Sequence, residues 1–348
     1  MPRPGTLARV ESIWIDPHPA WGLPKEVLGC AEGVAFSRCG SLLALAHAAD
    51  QRVSVYERQG EADGYSARPV SVIEGPDSGI DYPHDVDFSA DGRLLVVANR
   101  KGKSLTCYAR QPGGAVRFGS RPFWTIRGRR SRLRHPDGVK FVPPRGEYVA
   151  AANLTPSTVT FYRSRWLRRS RYASRACFVL EGPETRLVEP DGLSFSDDGG
   201  LLAVANHGSG TVTVYARGPR APRYGPTPIA EIGGNPSRLQ CPHSVAFSRD
   251  GTHLAISNAG GRTVSVYRCG RGPDPRSSPW SESPVLEIEA YDPAVFGAIN
   301  ELNRREGGSK GVAFGTDCLG VCSPCIGLRL HRVSVVASQE TYELAPKA

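Results

Sequence analysis

The sequence predicts an all-β protein, a six-bladed β-propeller of four-stranded antiparallel blades whose last blade is closed by the N-terminal strand. Three observations carry that expectation. One unit recurs six times at nearly constant spacing. Each copy holds the signals of short strands. A strand pattern ahead of the first copy supplies what the last copy lacks.

The six copies start near Glu32, His84, Asp137, Asp191, His243 and Lys310. Their anchor phenylalanines are Phe36, Phe88, Phe141, Phe195, Phe247 and Phe314, spaced 52, 53, 54, 52 and 67 residues apart. The first strand is a V-x-F pattern ended by a turn such as Ala90-Asp91-Gly92 or Asp197-Asp198-Gly199. The second is an apolar run, Leu94–Ala98 or Leu201–Ala205. The third alternates with period two, as at Val212 and Val214. A fourth follows a variable loop, at Val72-Ile73, Trp124–Ile126, Phe178–Leu180, Ile229–Ile232 and Leu286–Ile288. The sixth copy runs out near Ser338 after its third strand, while Ala8–Ile15 (ARVESIWI) is unpaired ahead of the first. That segment is expected to complete blade six and remove an exposed edge. The whole chain, 1–348, then reads as one propeller domain.

Composition agrees. Gly (39) and Pro (29) suit many turns, and no run approaches the roughly 20 apolar residues of a membrane span. The N-terminus has no apolar signal region, and nine scattered cysteines read as reduced thiols, so a cytoplasmic location is expected. Cys318, Cys322 and Cys325 form C-x3-C-x2-C, but no fourth ligand is evident, and degenerate sequence is the preferred reading. Residues 100–175 hold 19 Lys/Arg against two acids, Asp137 and Glu147, a local charge of +17 that leaves −8 for the remainder.

The repeat assigns positions to shared rings. The first strand of each blade lines the channel, and the residue four before the anchor Phe lies at its start. That series is Glu32, His84, Asp137, Asp191, His243 and Lys310, all ionisable. Converging there, they must be solvated, paired or bound to something. Glu32, Asp137 and Asp191 are candidate ligands for a divalent cation (Ca, Mn, Mg or Zn), and His84 and His243 are candidate catalytic imidazoles. A metal there would polarise a carbonyl and lower a water pKa, as ester or lactone hydrolysis requires. A second series ends strand two, His47, Asn99, Asn153, Asn206, Asn258 and, roughly, Cys325; it is expected to be structural, and its place on the same face also offers a second ring of ligands. Two long segments on this face, Asp16–Ala31 and Glu289–Ser309, are expected to be loops, the second with a short helix at AVFGAINELN.

The phrase GLSFSDDGGLLAVANHGSGTVTVYAR resembles the YVTN/lactonase-like propeller repeat, and the resemblance covers nearly all of the chain. Six blades are also similar to the gluconolactonase/senescence-marker-protein and NHL groups. The gluconolactonase resemblance implies a divalent ion held by Glu32 and by Asp191 or Asp137. The chain departs from that pattern: its first-strand starts offer no Asn, two His and Lys310.

Three functions follow as expectations. The first is a binding propeller that takes a small ligand or a protein partner on the channel face. The second is a metal-dependent lactonase-like hydrolase. The third is a scaffold that docks an acidic partner through Arg168, Arg169 and Arg171 in the loop Arg163–Arg175. No recognised nucleic-acid module is present, so nucleic acid is not expected as a partner.

Overall fold

The computed structural model describes residues 11–23, 31–60, 64–165, 168–234, 239–269, 280–289, 307–323 and 327–337. Their strands form six antiparallel sheets, five of four strands and one of five. Blade one runs Ala31–Phe36, Leu42–His47, Arg52–Glu57 and Ser71–Ile73, and the others repeat it. Every fourth strand anticipated from the sequence is present to within one residue.

The reason for the ring is in the burial pattern. Second strands such as LLALAH and LLAVAN are buried along their whole length, so both sheet faces must be covered. Each is covered by the next blade. Six hydrophobic clusters result, one per neighbouring pair, including blades six and one, where Val34, Leu43 and Leu45 meet Cys322, Leu328 and Leu330. The ring is therefore closed by packing as well as by strand order.

Two further devices repeat. The anchor Phe of each of the first five blades packs on an aromatic from its own loop between strands three and four: Tyr65, Phe118, Tyr172, Tyr224 and Trp280, at centroid separations of 5.8–6.0 Å. The third-strand tyrosine donates to a carbonyl of the loop leading into its blade: Tyr108 to Ser78, Tyr162 to Ser131 and Tyr215 to Thr185, at 2.5–2.7 Å. Tyr162→Phe should cost about 1–2 kcal/mol by leaving that buried carbonyl without its donor. Chemical denaturation measures it, and an unchanged midpoint would show that the tether contributes nothing.

Three local expectations need correction. The closing strand is Glu11–Leu23, longer than Ala8–Ile15, and pairs antiparallel with Gly327–Ala337 as the outermost strand of blade six. Residues 16–23 thus extend the strand, through register shifts on either side of Pro19, and do not form a loop over the channel. An outer strand tolerates proline because its far side needs no donors. The Arg163–Arg175 segment is a hairpin, with Thr158–Arg165 paired to an extra strand Arg168–Tyr172. The side chains of Arg168, Arg169 and Arg171, Cys325, and the anticipated helix within 289–309 lie outside the described residues.

Candidate functional site

In blades one to five a bulge at the start of the first strand sets the ring position, and in blade six Lys310 stands just ahead of the strand Gly311–Phe314. Pro83 pairs with Asn99 and Asp85 with Ala98, so His84 stands opposite the junction, unpaired. The same slip frees Glu32 between Ala31 and Gly33, and Asp137 between Pro136 and Gly138. Bulges re-aim side chains, here toward the axis. Proline precedes the ring residue in four blades (Pro83, Pro136, Pro190, Pro242) and suits a position that donates no ladder bond. Glycine follows it in four. A Cβ on Gly138 would lie 2.5 Å from the Asp191 carbonyl oxygen, and one on Gly33 2.6 Å from that of His84. The inner strands therefore touch, and this end of the channel is tight.

The six predicted residues do converge, as a buried plug rather than an open mouth, each 0–8% exposed. His84 Nε2 faces Glu32 Oε2 at 3.3 Å, and its Nδ1–H donates to the Asp137 carbonyl at 3.2 Å with Asp191 Oδ1 at 3.7 Å. His243 Nε2 stands 3.5 Å from Glu32 Oε2 and 3.4 Å from Asp191 Oδ2. The two imidazoles stack at 5.0 Å. The sequence reading missed Arg100, directly after Asn99, whose Nε lies 3.3 Å from Asp137 Oδ1. That contact is electrostatic only, since both Asp137 oxygens are buried without a hydrogen-bond partner.

Electrostatics divides the two histidines. Burial lowers both. At His84 the charges of Asp137, Asp191 and Glu32 outweigh burial and raise it to about 10. At His243 burial is joined by repulsion from Lys310, and it falls to about 3. Burial would raise Glu32, but Lys310 and hydrogen bonds from both imidazoles hold it well below the usual carboxylate range. Burial pushes Asp137 and Asp191 up, against the attraction of His84. At neutral pH the plug thus holds an ionised Glu32, a protonated His84, a neutral His243, and the cations Lys310 and Arg100.

The asparagine series is committed inside the blades. Asn99 accepts from the Asp81 N–H at 3.1 Å and donates to Thr106 Oγ1 at 2.9 Å. Asn153, Asn206 and Asn258 repeat the pair with Arg134 and Thr160, Val188 and Thr213, and Gln240 and Ser265. Each clamps strand two to strand three and to the lead-in loop.

Open volume lies elsewhere. A cavity of about 210 Å³ occupies the opposite mouth, among the anchor phenylalanines. A wider cleft of about 780 Å³ opens on the ring-side face between blades two and three. Two triads of ligand-type atoms, Glu32–His84–His243 and His84–Asp137–Asp191, lie within 4.8 Å of one another. Among the described residues neither Cys318 nor Cys322 joins such a group, and no helix is long and apolar enough to cross a membrane.

No protein-family model and no curated protein matches the chain. Solved structures do. The β-propeller domain of Myceliophteria thermophila Cps50 (Swd1) is 14% identical over 88% of this chain and 97% of its own, with a TM-score of 0.56. A functionally unknown protein from Desulfotomaculum acetoxidans is 14% identical, covering 89% and 90%, at 0.53. A protein from Lactobacillus plantarum is 15% identical, covering 88% of each chain, at 0.51. At these identities the likeness is one of fold alone.

Proposed function

We propose that the protein is a non-catalytic binding propeller that engages a small ligand or a protein partner on its ring-side face. One observation carries this reading: the ring residues face charged groups of the same chain. Glu32 is shared by two imidazoles under the field of Lys310, and Arg100 faces Asp137. All six side chains are buried, so the plug serves as a rigid floor that fixes the lead-in loops above it. Binding residues are commonly carried on loops positioned by a rigid scaffold.

A second reading, the lactonase-like hydrolase suggested by the repeat's resemblance to YVTN/lactonase-like propellers, has its own support. The triad separations suit a divalent cation held by Glu32, His84 and His243, which would supply Lewis-acid polarisation of a scissile carbonyl. Lys310 and Arg100 weigh against it, because the field of Lys310 already acts on Glu32 and Arg100 already faces Asp137 in the same ring. Elemental analysis of protein purified without chelator, with a lactone and ester screen with and without EDTA, separates the two. The expected result is substoichiometric metal and no chelator-sensitive turnover. Stoichiometric metal with EDTA-sensitive hydrolysis, abolished in Glu32→Gln, would replace the binding reading with the hydrolase.

A further inference from the structure

The cleft between blades two and three is lined by Lys103, Arg127, Arg129, Arg132 and Arg134, and none of its lining residues is acidic or aromatic. The fold does not demand these charges. Three lead-in loops share one backbone turn, a short 3-10 helix after a glycine with positive φ: Glu74–Gly79, Arg127–Arg132 and Glu181–Arg186. In each, a Ser or Thr hydroxyl donates to that glycine's carbonyl at 2.6 Å, and the closing residue is left-handed. The side chains on this common frame differ in sign. Glu74 and Glu181 correspond to Arg127, and Asp77 and Glu184 to Arg130. Only the turn before blade three is basic.

The neighbouring turn explains why that charge stays unspent. Glu181 reaches back to Arg132 at 2.6 Å, and Glu231 reaches back to Arg186 at 2.5 Å. Arg127 occupies the position of Glu181, and the residue before it in that scheme is Gly79, which carries no charge. Among the described residues Lys103, Arg127, Arg129 and Arg134 meet no carboxylate at ion-pair distance, and all four are exposed. Four cations held on one fixed turn and its neighbour repel one another, so an anion that bridges them is favoured.

We propose that this cleft binds a compact polyphosphate, a small molecule that carries two or more phosphate groups. The proposal rests on the reading of the ring-side face as a binding face and names the ligand class. Guanidinium forks pair with phosphate oxygens bidentately, and several converging arginines reward adjacent phosphates over one. The lining offers no aromatic platform on which a nucleobase could stack, which disfavours single-stranded RNA.

Isothermal titration of the full chain with inorganic tripolyphosphate tests this, with orthophosphate, a Glu-rich decapeptide and a single-stranded RNA as comparison probes. Expected is saturable one-to-one binding of tripolyphosphate, weaker for orthophosphate and falling with salt. Each lost charge-assisted contact weakens binding by about tenfold or more, so Arg127→Glu with Arg129→Glu should lose about 100-fold or more, and Arg127→Lys less. Arg223→Glu, an exposed change on the opposite face, should bind as the parent does. Unchanged thermal midpoints show that the variants remain folded. Failure of tripolyphosphate to bind, or equal loss in Arg223→Glu, would overturn the assignment. Tighter binding of the peptide or RNA through the same arginines would overturn it too, while leaving the ring-side face as a binding face. If no probe binds, the polyphosphate assignment falls alone, because every probe is an anion and the binding face also admits ligands of other chemistry.

Discussion

Glu32→Gln should destabilise the protein by about 3–5 kcal/mol, the scale for removing one partner from a buried charge group. The amide keeps the shape and removes the charge. Lys310 and the protonated His84 then remain buried without the carboxylate that answers both. The pH dependence has a definite sign. Glu32 has a folded pKa below its usual 4.5, so its contribution is present above that value and lost as pH falls through the folded value. His84 has a folded pKa of about 10 against an ordinary 6.5, so its contribution is whole below 6.5 and is lost as pH rises toward 10. The gap between parent and variant should therefore be widest near pH 5–6.5 and narrow toward pH 10 as His84 loses its proton. Denaturant titrations at pH 6 and pH 9.5 measure it. A loss under about 1 kcal/mol at pH 6, or a gap that widens with pH, would show that the ring charges are not coupled through Glu32. His243→Gln makes a useful contrast: a group already neutral at pH 7 leaves no buried charge behind when replaced.

The ring was legible from the sequence because a repeat turns spacing into superposition. Once Phe36 and its counterparts fix the register, Glu32, His84, Asp137, Asp191, His243 and Lys310 must share a level, and they do. Depth was not legible. Whether that level is an open mouth or a sealed plug depends on how closely the inner strands approach, which is set by contacts such as Gly138 against the Asp191 carbonyl, between residues about fifty apart. Arg100 was missed for a related reason. Its counterparts after the strand-two clamp are Ala48, Leu154, His207 and Ala259, a position with no repeating chemistry, so register gave it no weight. The only signal was its place at the start of the basic sector. The loop aromatics Tyr65, Phe118, Tyr172, Tyr224 and Trp280 were hidden in the segments of most variable length, although each packs on an anchor Phe that the repeat identifies. The closing strand was visible as a pattern but not in extent, since residues 16–31 read as a loop where the structure carries the pairing to Leu23 through register shifts on either side of Pro19.

That closing strand carries the other large effect. Deleting residues 1–23 should abolish cooperative folding of the monomer. Nine register pairs join Glu11–Leu23 to Gly327–Ala337. At a net of about 0.5–1.5 kcal/mol for each backbone bond, the lost ladder is worth roughly 5–13 kcal/mol, comparable with the whole stability of an ordinary domain. The deletion also leaves Gly327–Ala337 as an unpaired edge of 11 residues, a template for pairing with other chains. Blade six would loosen first, and with it both of its interfaces: the cluster of Val312, Leu319 and Val321 against blade five, and that of Cys322, Leu328 and Leu330 against blade one. Because each blade is covered on both faces only while the ring is closed, the damage should spread around the ring instead of stopping at one blade. Size-exclusion chromatography and thermal unfolding of residues 24–348 should show aggregation or a broad, low transition. A synthetic peptide of residues 8–23 added in trans should restore a sharp transition by strand addition. A truncated chain that stays monomeric and melts at the parent temperature would mean that packing between blades, and not the shared strand, holds the ring shut.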